Sequence, residues 1–389
     1  MNVQEIQKTY SARLEPNKEQ LILFAQFAGC ARFVFNYALG LIKQALDNKQ
    51  TVPSYTDLAN LLPKLKKAEN TAWLREVHSQ ILQQTLKDLE SARKHFFRRL
   101  KNKEKPGFPK FKKKGMKDSF RFPQGVKLNK GRVYLPKIGW VKYKDSQAIE
   151  GSITQVTVKR ESKHWYVHIV CKITKKIEQA SLTSTQAIGI DLGLHVFAYF
   201  SDGTIIDNPK YLKSDLKHLK RLQRRLTRAK KGGSNRKKLA QKIAAVHIRI
   251  KNKRKDFLHK LSSMVVKNQD IIAVESLHVK GMLRNSKLAR SISDVSWGMF
   301  IAMLKYKCLW YGKHFVKVDR FEPTSKQCSS CTHKQAMPLQ VRRYQCTNCG
   351  IDLDRDYNAS INIRAAGRAV LASRETSSGS LNEAGIPGF

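Results

Sequence analysis

The sequence predicts a multidomain α/β protein, and three features of the chain lead to that prediction. Two short apolar strands contain acidic residues: AIGIDLGLHVFAYFS (187–201) has one acid within it, and DIIAVE (270–275) ends in one. Two Cys-x-x-Cys pairs lie close together between residues 328 and 349. Nearer the N-terminus, a block with β alternation follows a long block with helical periodicity. We therefore expect an α/β core with a metal-binding insert, together with a small β-barrel that carries an inserted helical lobe.

The charge balance of the chain indicates a polyanionic partner. Its 389 residues include 74 Lys and Arg against 30 Asp and Glu, which gives a formal charge of +44. Nucleic acid is the usual partner of so basic a protein. A membrane surface is disfavoured, because the basic residues are dispersed and no apolar run reaches the roughly 18 residues of a membrane span. The start of the chain lacks the apolar segment of a signal peptide, so a protein of the reducing cytoplasm is expected.

The first half of the chain predicts strands on both sides of a helical region. Residues 3–14 have a strand pattern, and Pro16 is well placed to open a helix. Apolar residues then recur at three- and four-residue spacing as far as residue 100. Residues 120–173 alternate between apolar and polar types and contain tight turns, which predicts several short strands. If the first strand completes the sheet of the later ones, the helical lobe is an insertion in a small barrel.

The loop KNKEKPGFPKFKKKGMKD (101–118) places Phe108 and Phe111 among lysines. Its prolines and glycines are incompatible with a helix. Interleaved aromatic and cationic side chains suit a nucleic-acid strand with stacked bases. A solvated charged loop that is anchored by the two Phe side chains is the other interpretation, and the sequence leaves both open.

Residues 210–268 form a predicted helical hairpin whose only acidic residues are Asp215 and Asp256. Two apolar stripes give it a narrow seam and a wide basic face. A solvated coiled-coil arm would show the same pattern, but the near-absence of acidic residues favours contact with phosphates. The candidate phosphate contacts are Arg224, Arg225, Lys253 and Arg254.

Four cysteines have the spacing of a structural zinc site: Cys328, Cys331, Cys346 and Cys349. Four thiolates in two Cys-x-x-Cys pairs can close a tetrahedron around Zn²⁺, and such a site leaves no open position for chemistry. Two disulfides are the alternative. They would require an oxidising compartment, which no secretory feature of the sequence indicates.

Three acids are candidate ligands of a second metal site. Asp191 lies inside an apolar strand, Glu275 ends another, and Asp356 opens a predicted helix after the cysteine pairs. A carboxylate in an apolar strand is costly unless it is paired, hydrogen-bonded or bound to a metal. Each acid alone would be interpreted as a capping or salt-bridged residue, but the set, on a basic chain, suits Mg²⁺ or Mn²⁺ in a nuclease. Acids on a first strand, a fourth strand and a later helix follow the order of the RNase H-like nuclease fold.

Neighbouring residues leave alternatives open around the third acid. Asp354 or Asp352 could take the place of Asp356 as a ligand. Arg355 could offset the negative charge or contact phosphate. Asn358 could bond the backbone at the start of the helix or orient the acid.

These motifs together resemble the TnpB (OrfB-type) proteins of bacterial insertion sequences, relatives of the type V CRISPR nucleases. The resemblance is carried by GIDLG around Asp191, VESL around Glu275, the CSSC and CTNCG pairs, and DRDYNASINI around Asp356. It also covers GCARFVFNYAL, PGFPKFKKK and SISDVSWGMF, and it extends over most of the chain, from about residue 10 to residue 365.

The resemblance implies a RuvC-type, RNase H-like nuclease. Such a nuclease is guided by an RNA made from the transposon end and cuts double-stranded DNA beside a short transposon-adjacent motif. Asp191, Glu275 and Asp356 would be its catalytic, metal-binding triad. The four cysteines would hold one structural Zn²⁺ in a target-nucleic-acid-binding insert. A monomer with one guide RNA is expected.

The resemblance and the motifs divide the chain into five parts. They are a wedge β-barrel (1–15 and 104–182), a helical recognition lobe (16–103), a nuclease domain (183–322 and 352–372, including the basic hairpin), the zinc insert (323–351) and a flexible tail (373–389). The adjacent motif would be recognised by the lobe and the barrel, with Tyr55, Ser79 and Gln83 as candidate contacts.

Three residues depart from the family pattern. Thr332 follows the first cysteine pair where Gly is usual, which predicts a slightly strained turn. Ser276 follows Glu275 in place of Asp or Asn, and Ser360 replaces Ala. None of these changes removes an acid of the triad, so an active nuclease is expected.

Two other functions stay open at this point. A DNA strand transferase, the older meaning of transposase, could use the same three acids but would have to recognise transposon ends itself. A nucleic-acid-binding regulator that does not cleave would have no need of an intact triad.

Overall fold

A computed structural model describes residues 2–115, 118–338 and 340–378. The chain divides into two compact units, each with its own hydrophobic core. Residues 5–175 form the first unit, and the residues from 176 onward, with the first four, form the second.

The first unit is built on a seven-stranded sheet in the order β2-β6-β7-β1-β5-β4-β3. The strand before the helices, β1, thus lies in the middle of the sheet formed by the strands after them. Closure of this sheet into a barrel stays a prediction. The strands are β1 (Asn2–Glu15), β2 (Ser119–Phe122), β3 (Lys127–Asn129), β4 (Arg132–Leu135), β5 (Gly139–Tyr143), β6 (Ser152–Glu161) and β7 (His164–Ile177).

Three helices of the first unit lie between β1 and β2 in the chain: α1 (Lys18–Asp47), α2 (Tyr55–Lys67) and α3 (Ser79–Lys101). A 3₁₀ turn (Glu69–Arg75) precedes α3. Capping boxes fix the starts of the first two, because Asn17 and Gln20 exchange side-chain-to-backbone hydrogen bonds, as do Ser54 and Asp57. The helical periodicity of the sequence therefore corresponds to helices whose starts are set by their caps.

Helix α1 has the length and apolar character of a membrane span, with a mean hydropathy of 1.3 over its most apolar window. Its apolar side chains are used inside the unit. Phe24 packs edge-on against Trp165, with 5.2 Å between ring centroids, and Phe27 packs in the same way against Phe120 at 5.4 Å. The packing of α1 against the sheet therefore accounts for its composition.

The second unit contains a five-stranded mixed sheet in the order β10-β9-β8-β11-β12. Its strands are β8 (Ala187–Leu192), β9 (Val196–Phe200), β10 (Ile205–Asp207), β11 (Ile271–Glu275) and β12 (His314–Val318). β8, β11 and β12 are parallel, and β9 is antiparallel to its neighbours. The carboxyl ends of the three parallel strands, at Leu192, Glu275 and Val318, share one edge of the sheet, which we call the carboxylate edge.

The described part of the second unit contains six helices. They are α4 (Tyr211–Arg228), α5 (Ser234–Asn268), α6 (Val279–Met282), α7 (Ala289–Val295), α8 (Trp297–Tyr311) and α9 (Arg355–Ser378). α5 and α8 pack on one face and α9 packs on the other. α4 and α5 form the predicted hairpin, with a seam around Leu219, Leu222, Val246 and Ile250.

The last helix extends beyond the predicted end of the nuclease domain. α9 continues to Ser378, so residues 373–378 of the predicted flexible tail are helical. Leu371, seven residues before this end, is buried against the sheet. Residues 379–389 lie outside the described part of the chain.

Candidate active site and zinc insert

Two of the three predicted acids reach the carboxylate edge by strand alternation. Ile188 and Ile190 of β8 pack toward α5 and α8, so Asp191 points to the opposite face, which α9 covers. β11 alternates in the same way, which places Glu275 on the α9 face. Ile190 lies opposite Val274 in the parallel ladder, so the two acids occupy adjacent positions on neighbouring strands.

Helix α9 brings the third acid to the same edge by running back across the strands. Leu371, near its C-terminal end, packs with Ala187 at the start of β8. Ile363, nearer its N-terminal end, packs with Val318 at the end of β12. The first turn of α9, which contains Asp356, therefore lies at the carboxylate edge.

The close packing of α9 on β8 depends on Gly189. A Cβ atom at this position would lie 2.1 Å from the backbone oxygen of Ser360 and 2.4 Å from the backbone nitrogen of Arg364, both on α9. Asp356 stands one turn before Ser360 on the same helix face. The missing side chain therefore lets the helix approach the strand that carries Asp191.

The three carboxylates act on one another electrostatically. Burial, followed by the charges of Asp356 and Glu275, raises the pKa of Asp191 to about 8. Burial also raises the pKa of Glu275. Within the described part of the chain, neither Asp191 nor Glu275 forms an ion pair with a basic side chain. Buried carboxylates that raise one another's pKa would be stabilised in their charged form by a divalent cation such as Mg²⁺, which prefers hard oxygen ligands.

Asp356 differs from the other two acids because arginines hold it. Its Oδ1 accepts hydrogen bonds from Nε and Nη2 of Arg355, at 3.1 and 2.9 Å. Its Oδ2 lies 3.5 Å from Nη1 of Arg342, a residue of the zinc insert. These pairs offset the charge of one acid and orient it at the edge, which is one of the two roles that the sequence left open for Arg355.

The alternative third ligands are engaged elsewhere. Oδ1 of Asp354 accepts from the backbone nitrogens of Asp356 and Tyr357, at 2.9 and 3.3 Å, and so caps α9. Asp352 pairs with Arg343 across the hairpin of β13 (Arg343–Gln345) and β14 (Asp352–Asp354), at 2.8 Å. The geometry therefore favours Asp356 as the third acid.

The four cysteines converge as a zinc site requires. Cys328 Sγ lies 3.6 Å from Cys349 Sγ, and Cys331 Sγ lies 3.6 Å from Cys346 Sγ. A tetrahedron with Zn–S bonds of about 2.3 Å has edges of about 3.8 Å, whereas a disulfide bond is about 2.05 Å long. A hydrogen bond from Asn348, above all, lowers the pKa of Cys331 to about 6, whereas the pKa of Cys349 in the same cluster is raised to about 11, so the distances and not the pKa values carry the assignment. The cluster thus fits one Zn²⁺ and does not fit two disulfides.

Each cysteine pair ends in a turn with a left-handed residue. Thr332 has φ +62° and Gly350 has φ +72°. The backbone nitrogen of Thr332 donates to the oxygen of Cys328 at 3.1 Å, and that of Gly350 donates to the oxygen of Cys346 at 3.0 Å. The two turns are therefore equivalent. Thr332 has a side chain at the left-handed position where the other turn has Gly350, and this is the origin of the strain predicted at Thr332.

Two asparagines of α9 attach the zinc insert to the helix that carries the third acid. Asn358 is fully buried, accepts from the backbone nitrogen of Ser329 at 2.9 Å and donates to the oxygen of Gln327 at 2.8 Å. Asn362, one turn later, donates to the same oxygen at 2.7 Å. The first cysteine turn is thus hydrogen-bonded to the first two turns of α9.

Gly189, Arg342 and Asn362 belong to the site but are not among the residues predicted from the sequence. A glycine inside an apolar strand is a signal of close backbone approach. Asn358 and Asn362 stand four residues apart, which places both on one helix face. Arg342 carries no signal in its local sequence, because the carboxylate it contacts lies beyond the second cysteine pair.

The predicted contacts for the adjacent motif lie on the helices of the first unit. Ser79 and Gln83 are exposed one turn apart on α3. Tyr55 is the first residue of α2, and the Nζ of Lys87 lies 5.9 Å from its ring centroid. The three side chains are accessible enough to meet a ligand.

The two phenylalanines of the basic loop behave differently. Phe108 is partly buried and packs edge-on against Phe96, with 5.2 Å between ring centroids. Phe111 is 48 % exposed, and the Nζ of Lys43 lies 4.7 Å from its ring centroid. Phe108 therefore anchors the loop, while Phe111 has a free face.

Three of the four predicted phosphate contacts on the hairpin are exposed: Arg224, Arg225 and Lys253. Arg254 is turned inward, where its guanidinium pairs with Asp294 of α7 and its side chain is 19 % exposed. Arg254 thus ties α5 to α7 and could meet a phosphate only by leaving that carboxylate.

Family models match three parts of the chain. Residues 168–286 match a model described as "Probable transposase" of the OrfB_IS605 type, and residues 297–363 match "Cas12f1-like, TNB domain". Residues 1–51 match a model described as "Helix-turn-helix domain". That last description does not correspond to the local structure, because these residues form strand β1 and the single long helix α1.

Two curated bacterial proteins are similar along almost the whole chain. The "Putative RNA-guided DNA endonuclease" of Streptomyces pristinaespiralis is 37% identical over 95% of this chain and 92% of its own length. The "Putative RNA-guided DNA endonuclease InsQ" of Escherichia coli K12 is 36% identical over 95% of this chain and 94% of its own length.

A solved structure supports the fold. The protein in "Cryo-EM structure of the Cas12f1-sgRNA-target DNA complex" matches with a TM-score of 0.57 and 14% identity over 92% of this chain and 99% of that chain. The multidomain α/β fold is therefore that of Cas12-type effectors. On the full-length similarity to the two bacterial proteins, the chain belongs to the TnpB (OrfB-type) family of RNA-guided DNA endonucleases.

Proposed function

We propose that this protein is a transposon-encoded nuclease that uses a guide RNA from the transposon end and cuts double-stranded DNA beside a short transposon-adjacent motif. The observation that carries the proposal is the position of Asp191, Glu275 and Asp356 on one face and one edge of the mixed sheet. The names of the two bacterial relatives support RNA guidance and DNA as the substrate. The protein would act on the nucleoid in the cytoplasm, as a monomer with one RNA.

The proposed architecture follows from the order of the elements. An acid on β8, an acid on β11 and an acid on α9 support an RNase H-like, RuvC-type core. The sheet β1–β7 supports a wedge barrel, and α1–α3 support the recognition lobe inserted in it. We keep the predicted boundaries of these parts as part of the proposal.

The three acids would hold Mg²⁺ or Mn²⁺, and one Zn²⁺ would be held by the four cysteines. A divalent ion at such a site activates a water molecule and stabilises charge on the phosphate oxygens. Asp191 is affected by the charges of both other acids and would be the shared ligand. Arg355 and Arg342 keep the carboxylate of Asp356 directed to the edge. The zinc insert supplies shape, and its bonds to Asn358 fix the first turns of α9.

The guide and target would be held mainly by charge. Base pairing reads the target sequence, so the protein needs to recognise only the shape of the heteroduplex and the short flanking motif. Arg224, Arg225 and Lys253 would contact phosphates. Phe111 would stack on a base. Tyr55, Ser79 and Gln83 would contact the adjacent motif.

The test begins with the RNA that accompanies the protein. We would purify the protein expressed with its native transposon end and sequence the bound RNA. One discrete RNA that ends in sequence from just outside the transposon is expected. A random mixture of host RNA would contradict RNA guidance and would leave the charge of +44 as general affinity for polyanions.

The second step is cleavage of a plasmid library that matches the guide. Asp191→Asn is expected to lower cutting by at least about a thousandfold while RNA binding is retained. Glu178→Gln is the matched control, because Glu178 is an exposed acid of the same unit that lies outside the strands of the mixed sheet. Cutting by the Asp191 variant at the wild-type rate would overturn the assignment of the triad.

One alternative has an observation in its favour, since the model that matches residues 168–286 is described as "Probable transposase". A strand transferase would join transposon ends to target DNA without a guide. Joined products that form in the absence of the RNA would support it. A non-cleaving regulator would bind the programmed target and leave it intact.

A further inference from the structure

The turn that follows β12 presents an aromatic ring and a guanidinium group together. Phe321 is 80 % exposed, the most exposed of the large apolar side chains in the described part of the chain. The guanidinium carbon of Arg320 lies 4.8 Å from the centroid of its ring. These residues come two and three positions after Val318, which ends β12.

This turn lies at the carboxylate edge. β12 is parallel to β11, and Val318 is paired with Glu275. The backbone nitrogen of Ser276, the next residue along the chain, donates to the oxygen of Val318 at 3.0 Å. Phe321 therefore stands where the chain leaves the sheet beside the proposed catalytic acids.

The backbone of the turn is fixed, so the exposure of the ring follows from the geometry of the turn. Oδ1 of Asp319 accepts from the backbone nitrogen of Phe321 at 2.8 Å, and the oxygen of Asp319 accepts from the nitrogen of Glu322 at 3.2 Å. The oxygen of Thr324 accepts from the side chain of Asn362 on α9 at 2.8 Å. Both ends of the turn are thus attached to the nuclease sheet and its helix.

We propose that Phe321 and Arg320 form a stacking platform for an unpaired DNA strand that enters the carboxylate edge. The ring takes a base of that strand, and the guanidinium contacts an adjacent phosphate. Aromatic rings beside cations bind single strands with little sequence preference, because every base has a π-face. A duplex would not fit this role, since its bases are stacked on each other. The proposal rests on the proposed nuclease function, which supplies the reason for a strand at this edge.

The experiment compares Phe321→Leu with Phe321→Trp in the guide-loaded protein. Leu retains most of the apolar area and removes the π-face, whereas Trp retains the π-face. The substrate is a DNA target with a preformed bubble at the cleavage site, so that strand opening does not limit the rate. We expect Phe321→Leu to raise KM by about tenfold, to leave kcat within about a factor of two, and to be rescued by Phe321→Trp. Leu309→Ala is the control, since Leu309 is an exposed apolar residue of α8.

A second readout does not depend on cleavage. In an Asp191→Asn background, a single-stranded oligonucleotide with a fluorescent base analogue is titrated against each variant. Stacking quenches the fluorescence, so quenching is expected with Phe or Trp at this position and not with Leu.

The outcomes separate the platform from the function on which it rests. If the wild-type protein cuts but Phe321→Leu has the wild-type KM and quenching, the platform is wrong. If the protein does not cut but quenching still requires a π-face, the platform stands and the nuclease proposal fails. If Phe321→Leu changes only the oligomeric state measured by light scattering, the ring contacts a second copy of the chain and the proposal is overturned.

Discussion

The zinc insert and the carboxylate edge gather their ligands in opposite ways. The four thiols come from one short segment, residues 328–349, and two equivalent turns bring them together. The three carboxylates come from residues 191, 275 and 356, and they meet only when β8 pairs with β11 and α9 packs across both. A set that is local in the chain can form from its own turns, whereas a distant set requires the whole unit to fold.

The four thiols and the three carboxylates also differ in how their negative charge is balanced. The thiols are spaced for one Zn²⁺, which would neutralise much of their negative charge. Among the described residues of the carboxylate edge, Asp356 alone of the three acids forms ion pairs with arginines, and we expect a divalent cation to balance the other two. Asn358 connects the two sets through buried hydrogen bonds. We therefore expect damage to the zinc insert to reach the edge through α9, while damage to the edge leaves the zinc in place.

The largest effect is expected at Gly189. The three carboxylates, which are distant in the chain, meet only because this position has no side chain. Gly189→Ala would place a Cβ 2.1 Å from a backbone atom of α9, and this overpacking should cost about 3 kcal/mol of unfolding free energy. A displacement of roughly 1 Å at Asp356 should lower cleavage by about a hundredfold. Thermal denaturation and the programmed cleavage assay measure the two effects.

The control for Gly189 is Gly298 of α8, where an added Cβ would meet nothing within 4 Å. Gly298→Ala should stabilise the protein by about 0.5–1 kcal/mol. Zinc content should stay at the wild-type level in both variants. Equal stability of the two variants would show that α9 does not need the close approach, and the origin of the carboxylate edge would have to be sought elsewhere.

The next largest effect is expected when the zinc site loses one of its four ligands. Cys346→Ala removes one of four thiolates, and zinc affinity should fall by more than the roughly 10–100-fold that loss of an outer-shell partner costs. Cys308→Ala, which removes a buried thiol of α8, should keep its zinc. Elemental analysis of the purified variants measures the zinc per chain. In the Cys346 variant, amide hydrogen exchange should become faster in the first two turns of α9 and stay slow in β8 and β11.

A smaller effect is expected at Asn358 and Asn362, which attach the zinc insert to α9. Asn358→Ala leaves the backbone nitrogen of Ser329 without its partner, which should cost about 1–3 kcal/mol. Asn362→Ala should cost less, because the oxygen of Gln327 keeps its bond from Asn358 and only the oxygen of Thr324 loses its side-chain donor. Both variants should retain zinc, and the Asn358 variant should show faster hydrogen exchange at residues 355–362. Loss of zinc from the Asn358 variant would mean that the helix supports the insert rather than the reverse.

The same contrast explains what the sequence could predict. The four thiols could be predicted as a site from the sequence, because the ligands and their turns lie within one short segment. Asp191 and Glu275 could be predicted because burying an acid in an apolar strand costs free energy. Gly189 and Arg342 could not be predicted, since the role of each depends on a segment far away in the chain. Phe108 and Phe111 share one local pattern, and only packing against Phe96 separates the anchor from the exposed ring.

The smallest effect sharpens the comparison within the zinc insert, where one turn has Thr332 and its equivalent has Gly350. A left-handed conformation costs an L-residue roughly 1–2 kcal/mol relative to Gly. Thr332→Gly should therefore stabilise the zinc-bound insert by about 1 kcal/mol, and Gly350→Ala should destabilise it by a similar amount. Zinc release to a chromogenic chelator under increasing urea measures both variants. Opposite shifts would identify φ as the cause. Shifts of the same sign would mean that the side chain of Thr332, whose Oγ1 donates to the oxygen of Cys331 at 2.7 Å, stabilises its turn by more than the strain costs.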